Sequence, residues 1–139
     1  MSARLIVLLV AAAFLGAALA QAAEPPVALE FERIDAEFAA ARERCSDLAG
    51  QTKDVCVAEA HAARQIRKAE VAARRQGTVK ARYDAQVARA EAEFGVAKER
   101  CAVHAGATRE ACVADARLQE AHAKDEARRA RREAEANPK

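Results

Sequence analysis

The sequence predicts an all-α protein built from two tandem helical hairpins, four long helices in all. The hairpins are each clipped by a disulfide and either stacked as a thin bundle or set end to end. Three observations carry this: a composition of alanine and charged helix formers, an internal duplication, and apolar residues spaced alternately three and four apart. Of 139 residues, 40 are alanine and 32% are charged, whereas glycine and proline total only eight. Alanine, arginine, glutamate and lysine in these proportions favour long helices, and so few turn formers exclude sandwiches and barrels. Tryptophan is absent, tyrosine occurs once and phenylalanine four times. With so few large side chains, a chain of this length cannot be expected to enclose a catalytic pocket. The formal charge of +2 gives no strong overall bias toward a polyanion.

The first element is a leader, residues 1–22. Arg4 precedes an uncharged run from Leu5 to about Ala20, and Ala18-Leu19-Ala20 and Ala20-Gln21-Ala22 offer small-x-small cleavage sites. The run is shorter than the roughly 20 residues that comfortably span a bilayer. Cleavage, an oxidising periplasmic destination and no stable membrane span in the mature chain are expected. Residues 23–27, with Pro25-Pro26, form an extended lead-in.

The duplication has a period of 56. Ala36–Ala60 (AEFAAARERCSDLAGQTKDVCVAEA) aligns without gaps to Ala92–Ala116 (AEFGVAKERCAVHAGATREACVADA), with 14 of 25 positions identical. All four cysteines lie inside it with the same C-x10-C spacing, so one supersecondary unit occurs twice. In the first copy Phe31, Ile34, Phe38, Ala41, Cys45 and Leu48 mark one helix face; Val87, Ala90, Phe94, Ala97, Cys101 and His104 mark it in the second. Gly50 and Gly106 suit the left-handed position that ends a helix. Thr52 and Thr108 suit the N-cap that starts the next, with Asp54 and Glu110 in its first turn. Gly77-Thr78 gives the same stop and start between units. The helices are therefore expected near 28–49, 53–76, 79–105 and 109–136. The organisation is a hairpin over 28–77, a second hairpin core over 78–118, and a charged extension over 119–139.

The cysteines bear on this directly. In an unbroken helix Cys45 and Cys56 would lie about 16 Å apart, beyond the roughly 7 Å that a disulfide tolerates between Cα atoms. Folded at Gly50-Gln51, they oppose each other. Four cysteines allow three connectivities, and the repeat favours Cys45–Cys56 with Cys101–Cys112. The competing reading is an unbroken helix whose cysteines share one face and crosslink two chains in a coiled coil.

Chemistry is sparse. Cys101, His104 and Cys112 are a candidate metal set if the hairpin forms, but Leu48 replaces the histidine in the first copy. Oxidised cysteines could not act as ligands either, so no metal and no cofactor are expected. Ser2 and Ser46 are the only serines, and neither a nucleophile motif nor a phosphate-binding glycine loop occurs. Charge is blocked, with −5 over 24–60, +6 over 61–89, −3 over 90–127 and +3 over 128–139. The basic stretch RQIRKAEVAARRQGTVKAR is expected to pair with the acidic helix one hairpin away, and no nucleic acid is expected as a partner. From Gln119 to Ala136 nothing larger than alanine is apolar. Pairs such as Glu120–Lys124 and Asp125–Arg129 support a solvated helix there, a spacer or docking arm.

The repeated pattern, F-x5-RC-x4-G-x-T-(K/R)-(D/E)-x-C-V-A-(E/D)-A, resembles small secreted proteobacterial proteins. These carry alanine- and lysine-rich cysteine-pair repeats and are labelled TolA-like or cell-envelope proteins. The resemblance covers residues 28–118, and its specific part is the paired cysteines with the central glycine. It implies a periplasmic helical protein. Arginine replaces most of the usual lysine and His104 departs from the pattern. A transmembrane anchor and globular C-terminal domain like those of TolA are not expected, so a Tol role does not carry over. The expected function is a non-catalytic structural or interaction protein of the envelope, acting on another envelope protein or by self-association. A small periplasmic chaperone is the alternative, followed by a metal- or redox-responsive protein.

Overall fold

The computed structural model describes residues 25–138, all of them helical or in the links between helices. The leader at 1–22 and the start of the lead-in lie outside the described residues. Pro26 is extended (φ −53°, ψ 142°), and the first helix, α1, runs Val27–Arg44. Helix α2 spans Gly50–Gln76, α3 Val79–Arg100 and α4 Gly106–Ala136, with a single 3₁₀ turn at Cys101–Val103. The fold is all-α, as the composition and periodicity predict.

The central turn uses the expected residues. Gly77 takes a left-handed conformation (φ 66°) and its N–H donates to the Ala73 carbonyl at 2.9 Å. The Thr78 hydroxyl then accepts from the Ala81 N–H at 3.0 Å, satisfying one of the open donors of the first turn of α3.

The two disulfide turns differ from expectation. Helices α1 and α3 end at Arg44 and Arg100, not at the glycines. Each cysteine pair has its Cα atoms 5.7 Å apart, within the range that a disulfide tolerates. Cys45 and Cys101 are themselves the C-caps of α1 and α3, still in right-handed helical backbone (φ −75°, ψ −15° and φ −68°, ψ −15°). Ser46 N–H donates to the Glu43 carbonyl at 2.9 Å and Leu48 N–H to the Cys45 carbonyl at 3.2 Å, closing tight turns. Gly50 and Gly106 do have positive φ (55° and 54°), but each opens the following helix. The N-caps are consequently Ala49 and Ala105, both at φ −129°, ψ 159°, with no capping side chain. Thr52 and Thr108 are not N-caps; they sit exposed in the first turn of α2 and α4.

The chain runs up, down, up, down, and among the described residues extensive packing occurs only between consecutive helices: α1 on α2, α2 on α3, α3 on α4. The helices thus form one layer rather than a closed four-helix bundle. Ile34 and Cys45 are buried against α2, with Phe31, Phe38 and Ala41 half-buried beside them, as the seam predicts. Leu48 and His104, its last members, are exposed because the helix has already ended. Helices α2 and α3 meet over Ala62, Ala92 and Val96, flanked by Ala58 and Ile66. Between α3 and α4, buried Ala90 and Ala116 line one groove and Ala127 lines the next. Most buried positions are alanine, so the helices gain dispersion contact by close approach rather than by large side chains.

The C-terminal segment does not project as a solvated arm. Helix α4 continues unbroken to Ala136 against α3, with Ala127 2% exposed and the Arg131 guanidinium stacked 5.4 Å from the Tyr83 ring centre. Within it Lys124 pairs with Glu120 at 2.7 Å, but Asp125 pairs with Arg128 instead of Arg129.

Candidate functional site

With α1 to α4 in a single layer, the tips and the open sides of the two outer helices are exposed together with its two broad faces. Both disulfides fall at the same end of the layer, since α1 and α3 run in the same direction. Cys45 is joined to Cys56 and Cys101 to Cys112, and no cysteine is free. The tips touch: the Gln51 side-chain amide donates to the carbonyls of Glu99 (2.8 Å) and Arg100 (3.3 Å) at the end of α3. Between them lies an open cleft of about 570 Å³, lined by Leu48, Val55, Glu59, Arg100 and Val103. Val103 is 68% exposed there.

The metal set drawn from Cys101, His104 and Cys112 is overturned. Both sulfurs are consumed in a disulfide, so neither can supply a thiolate. His104 is exposed in extended backbone beyond the 3₁₀ turn. Among the described residues no group of three or more His, Cys, Asp or Glu side chains converges as a metal would require. The other histidines are apart from it: His61 packs on Phe38 at 4.6 Å between ring centres, and His122 is exposed on α4.

The basic stretch is paired within the molecule. Asp35 on α1 accepts from Arg64 at 2.6 Å and from Lys68 at 2.7 Å, and Glu37 pairs with Arg67. At the open end of the hairpin the buried Glu30 carboxylate is held by Arg74 (2.6 Å) and Arg75, and Arg75 also donates to the Pro25 carbonyl. Glu30 lies in the first turn of α1 and the arginines in the last turn of α2, so each complements its own helix dipole. The Arg75 hydrogen bond, with the charges of Arg75 and Arg74, holds the Glu30 carboxyl below its usual pKa despite burial. Hydrogen bonds from Arg64 and Lys68 do the same for Asp35. Arg64 and Arg42 also stack on Phe38, at 5.1 and 5.7 Å from the ring centre.

No family model, curated protein or solved structure matches the chain.

The outer faces are what the sequence analysis missed. On α4, Leu118 is 59% exposed beside Val113, Ala114 and Arg117. On α1 the side away from α2 shows Leu29, Ala36 and Ala40 to solvent. Reading the repeat past its identical stretch, with burial in mind, would have exposed them: Leu118 falls 56 residues after Ala62, which is buried. Among the described residues no helix is long and apolar enough to cross a membrane.

Proposed function

We propose that this chain is an exported, non-catalytic structural and interaction module of the cell envelope, acting in the periplasm. The carrying observation is the single layer, in which, among the described residues, α1 and α4 each have a neighbour on one side only. Their open sides present apolar residues among charges. The short apolar leader and the two disulfides suit an oxidising compartment. The resemblance of the cysteine repeat to secreted envelope proteins points the same way.

The test is site-specific photocrosslinking in intact cells, with the probe placed at Leu118 or Ala40 and, as control, at Ser46. Specific adducts from the outer helices, absent from the control, are expected. Probes that return no adduct above background from either outer helix would remove the interaction role.

A second reading, a small helical chaperone, draws support from the apolar cleft between the tips, where Leu48, Val55 and Val103 could hold an extended client. A Leu48→Ser/Val103→Ser variant should then lose suppression of client aggregation. Equal suppression by parent and variant, or none by either at molar excess, excludes it.

A further inference from the structure

The α2–α3 interface is the internal contact between the two repeats, and both of its halves recur on the outside of the molecule. The α2 side is Ala58, Ala62 and Ile66; 56 residues on, α4 presents Ala114, Leu118 and His122. The α3 side is Ala92 and Val96; 56 residues back, α1 presents Ala36 and Ala40. All five of these outer residues are exposed. The sizes compensate, since leucine replaces alanine on one side where alanine replaces valine on the other.

The charges recur as well. Two ion pairs cross the α2–α3 interface, Arg100–Glu59 at 2.6 Å and Arg89–Glu70. The equivalents of the two acids are Asp115 and Glu126 on α4, and those of the two bases are Arg44 and Arg33 on α1. All four keep their sign. Arg33 even repeats the local contact of its counterpart: Arg33–Glu37 and Arg89–Glu93 are both 3.7 Å. What Arg33 lacks is the neighbouring helix that gives Arg89 its second carboxylate. Asp115, Glu126 and Arg44 have no ion-pair partner among the described residues.

We infer that the outer face of α4 docks on the outer face of α1 of a second copy of this chain, continuing the helical layer head to tail through Asp115–Arg44 and Glu126–Arg33 pairs. The copy is the occupant because one chain carries both halves of an interface that it already forms once internally, with matched charge in the same register. The match is best near the disulfide end, because Asp125 and Arg129 stand where α2 has Ala69 and Ala73. A contact of that extent is reversible and weakened by salt. A head-to-tail contact is heterologous, so assembly does not stop at a symmetric dimer. This deepens the reading of the chain as an interaction module and rests on it.

The test is sedimentation velocity of the exported, oxidised protein from about 10 µM to about 1 mM, together with Asp115→Arg and Arg44→Glu. Both positions are exposed, and circular dichroism checks that the helices remain. The parent should form species larger than dimers as concentration rises. Each single reversal sets like charges opposite and should weaken association about tenfold. An equimolar mixture of the two variants should restore it, because both junctions then pair opposite charges. A monomer at every concentration, association unmoved by the reversals, or a mixture no stronger than its components each overturns the proposal. A monomer that still crosslinks to a different envelope protein overturns self-association while leaving the broader reading in place.

Discussion

Lys68 and Lys124 occupy equivalent places 56 residues apart, each reaching from the second helix of its hairpin to a carboxylate on the first. Lys68 meets Asp35 at 2.7 Å and Lys124 meets Glu91 at 2.8 Å, and the two acids are themselves one period apart. Burial follows the same register: Ile34 with Ala90, Ala60 with Ala116, and Val71 with Ala127 are all buried pairs. The structural duplication therefore runs well beyond the stretch where residue identity reveals it. Burial and charge have been kept at positions where the residue itself has changed.

The α1–α2 clamp makes the first helix acid-sensitive. The folded-state pKa values of Glu30 and Asp35 both lie below their ordinary values, because Arg75 and Arg64 respectively donate to the ionised forms. Groups with depressed folded-state pKa contribute fully above their unfolded pKa, about 4. That contribution is lost as pH falls through the folded-state values. Denaturant midpoints should hold steady from pH 7 to about pH 5 and drop below about pH 4. Glu30→Gln/Asp35→Asn should start lower at pH 7 and fall less on acidification. An acid limb equally steep in parent and variant would show that these carboxylates do not carry it.

Ala127 shows how tightly α4 is seated. It is 2% exposed where α4 faces α3 and borders only a small groove of about 70 Å³, so a leucine there must crowd the residues that cover it. Ala127→Leu should cost about 1–3 kcal/mol in urea unfolding, while Ala121→Leu, at an exposed position of the same helix, should change stability by less than about 0.5 kcal/mol. Equal effects at the two sites would mean that α4 is not packed as described.

This contrast also marks where sequence reading succeeds and where it stops. Helix identity, the Gly77-Thr78 turn and the Phe31–Cys45 seam are legible because capping chemistry and helical period are local properties. The ends of α1 and α3 are not, because a positive-φ glycine serves equally to close one helix or to open the next. At Gly50 it opens the next, and nothing in the neighbouring residues announces that choice. The docking of α4 escapes a hydrophobic-pattern reading since alanine buries well but scores weakly, and its lower half reads as a polar arm. The layer arrangement depends on which faces of α2 and α3 meet, and a seam on α1 carries no information about that.

Gly77 separates backbone cost from steric cost. A Cβ added there meets nothing within 4 Å, yet φ is +66°. Gly77→Ala should therefore cost about 1–2 kcal/mol from the left-handed backbone alone, and Gly77→Asn should cost less because asparagine tolerates this region better. Thermal unfolding of the three proteins checks the order. An alanine variant as stable as the parent would place the turn in a different conformation.

The disulfides should matter most for the outer helices. Each closes a short loop, worth roughly 3 kcal/mol in the chain-entropy model, in a protein whose interfaces are mostly alanine. Among the described residues, helices α1 and α4 have one neighbouring helix each, whereas α2 and α3 have two. Local opening follows packing, so the outer helices lie at the low end of the stability range. In Cys45→Ser/Cys56→Ser, amide exchange should accelerate by about a hundredfold along α1, the rate equivalent of roughly 3 kcal/mol, and much less in α3. Cys101→Ser/Cys112→Ser should do the same to α4, leaving α1 nearly untouched. Hydrogen–deuterium exchange with peptide-level readout distinguishes the helices. Uniform acceleration over all four would mean that the layer unfolds as one cooperative unit, with no separable outer helix.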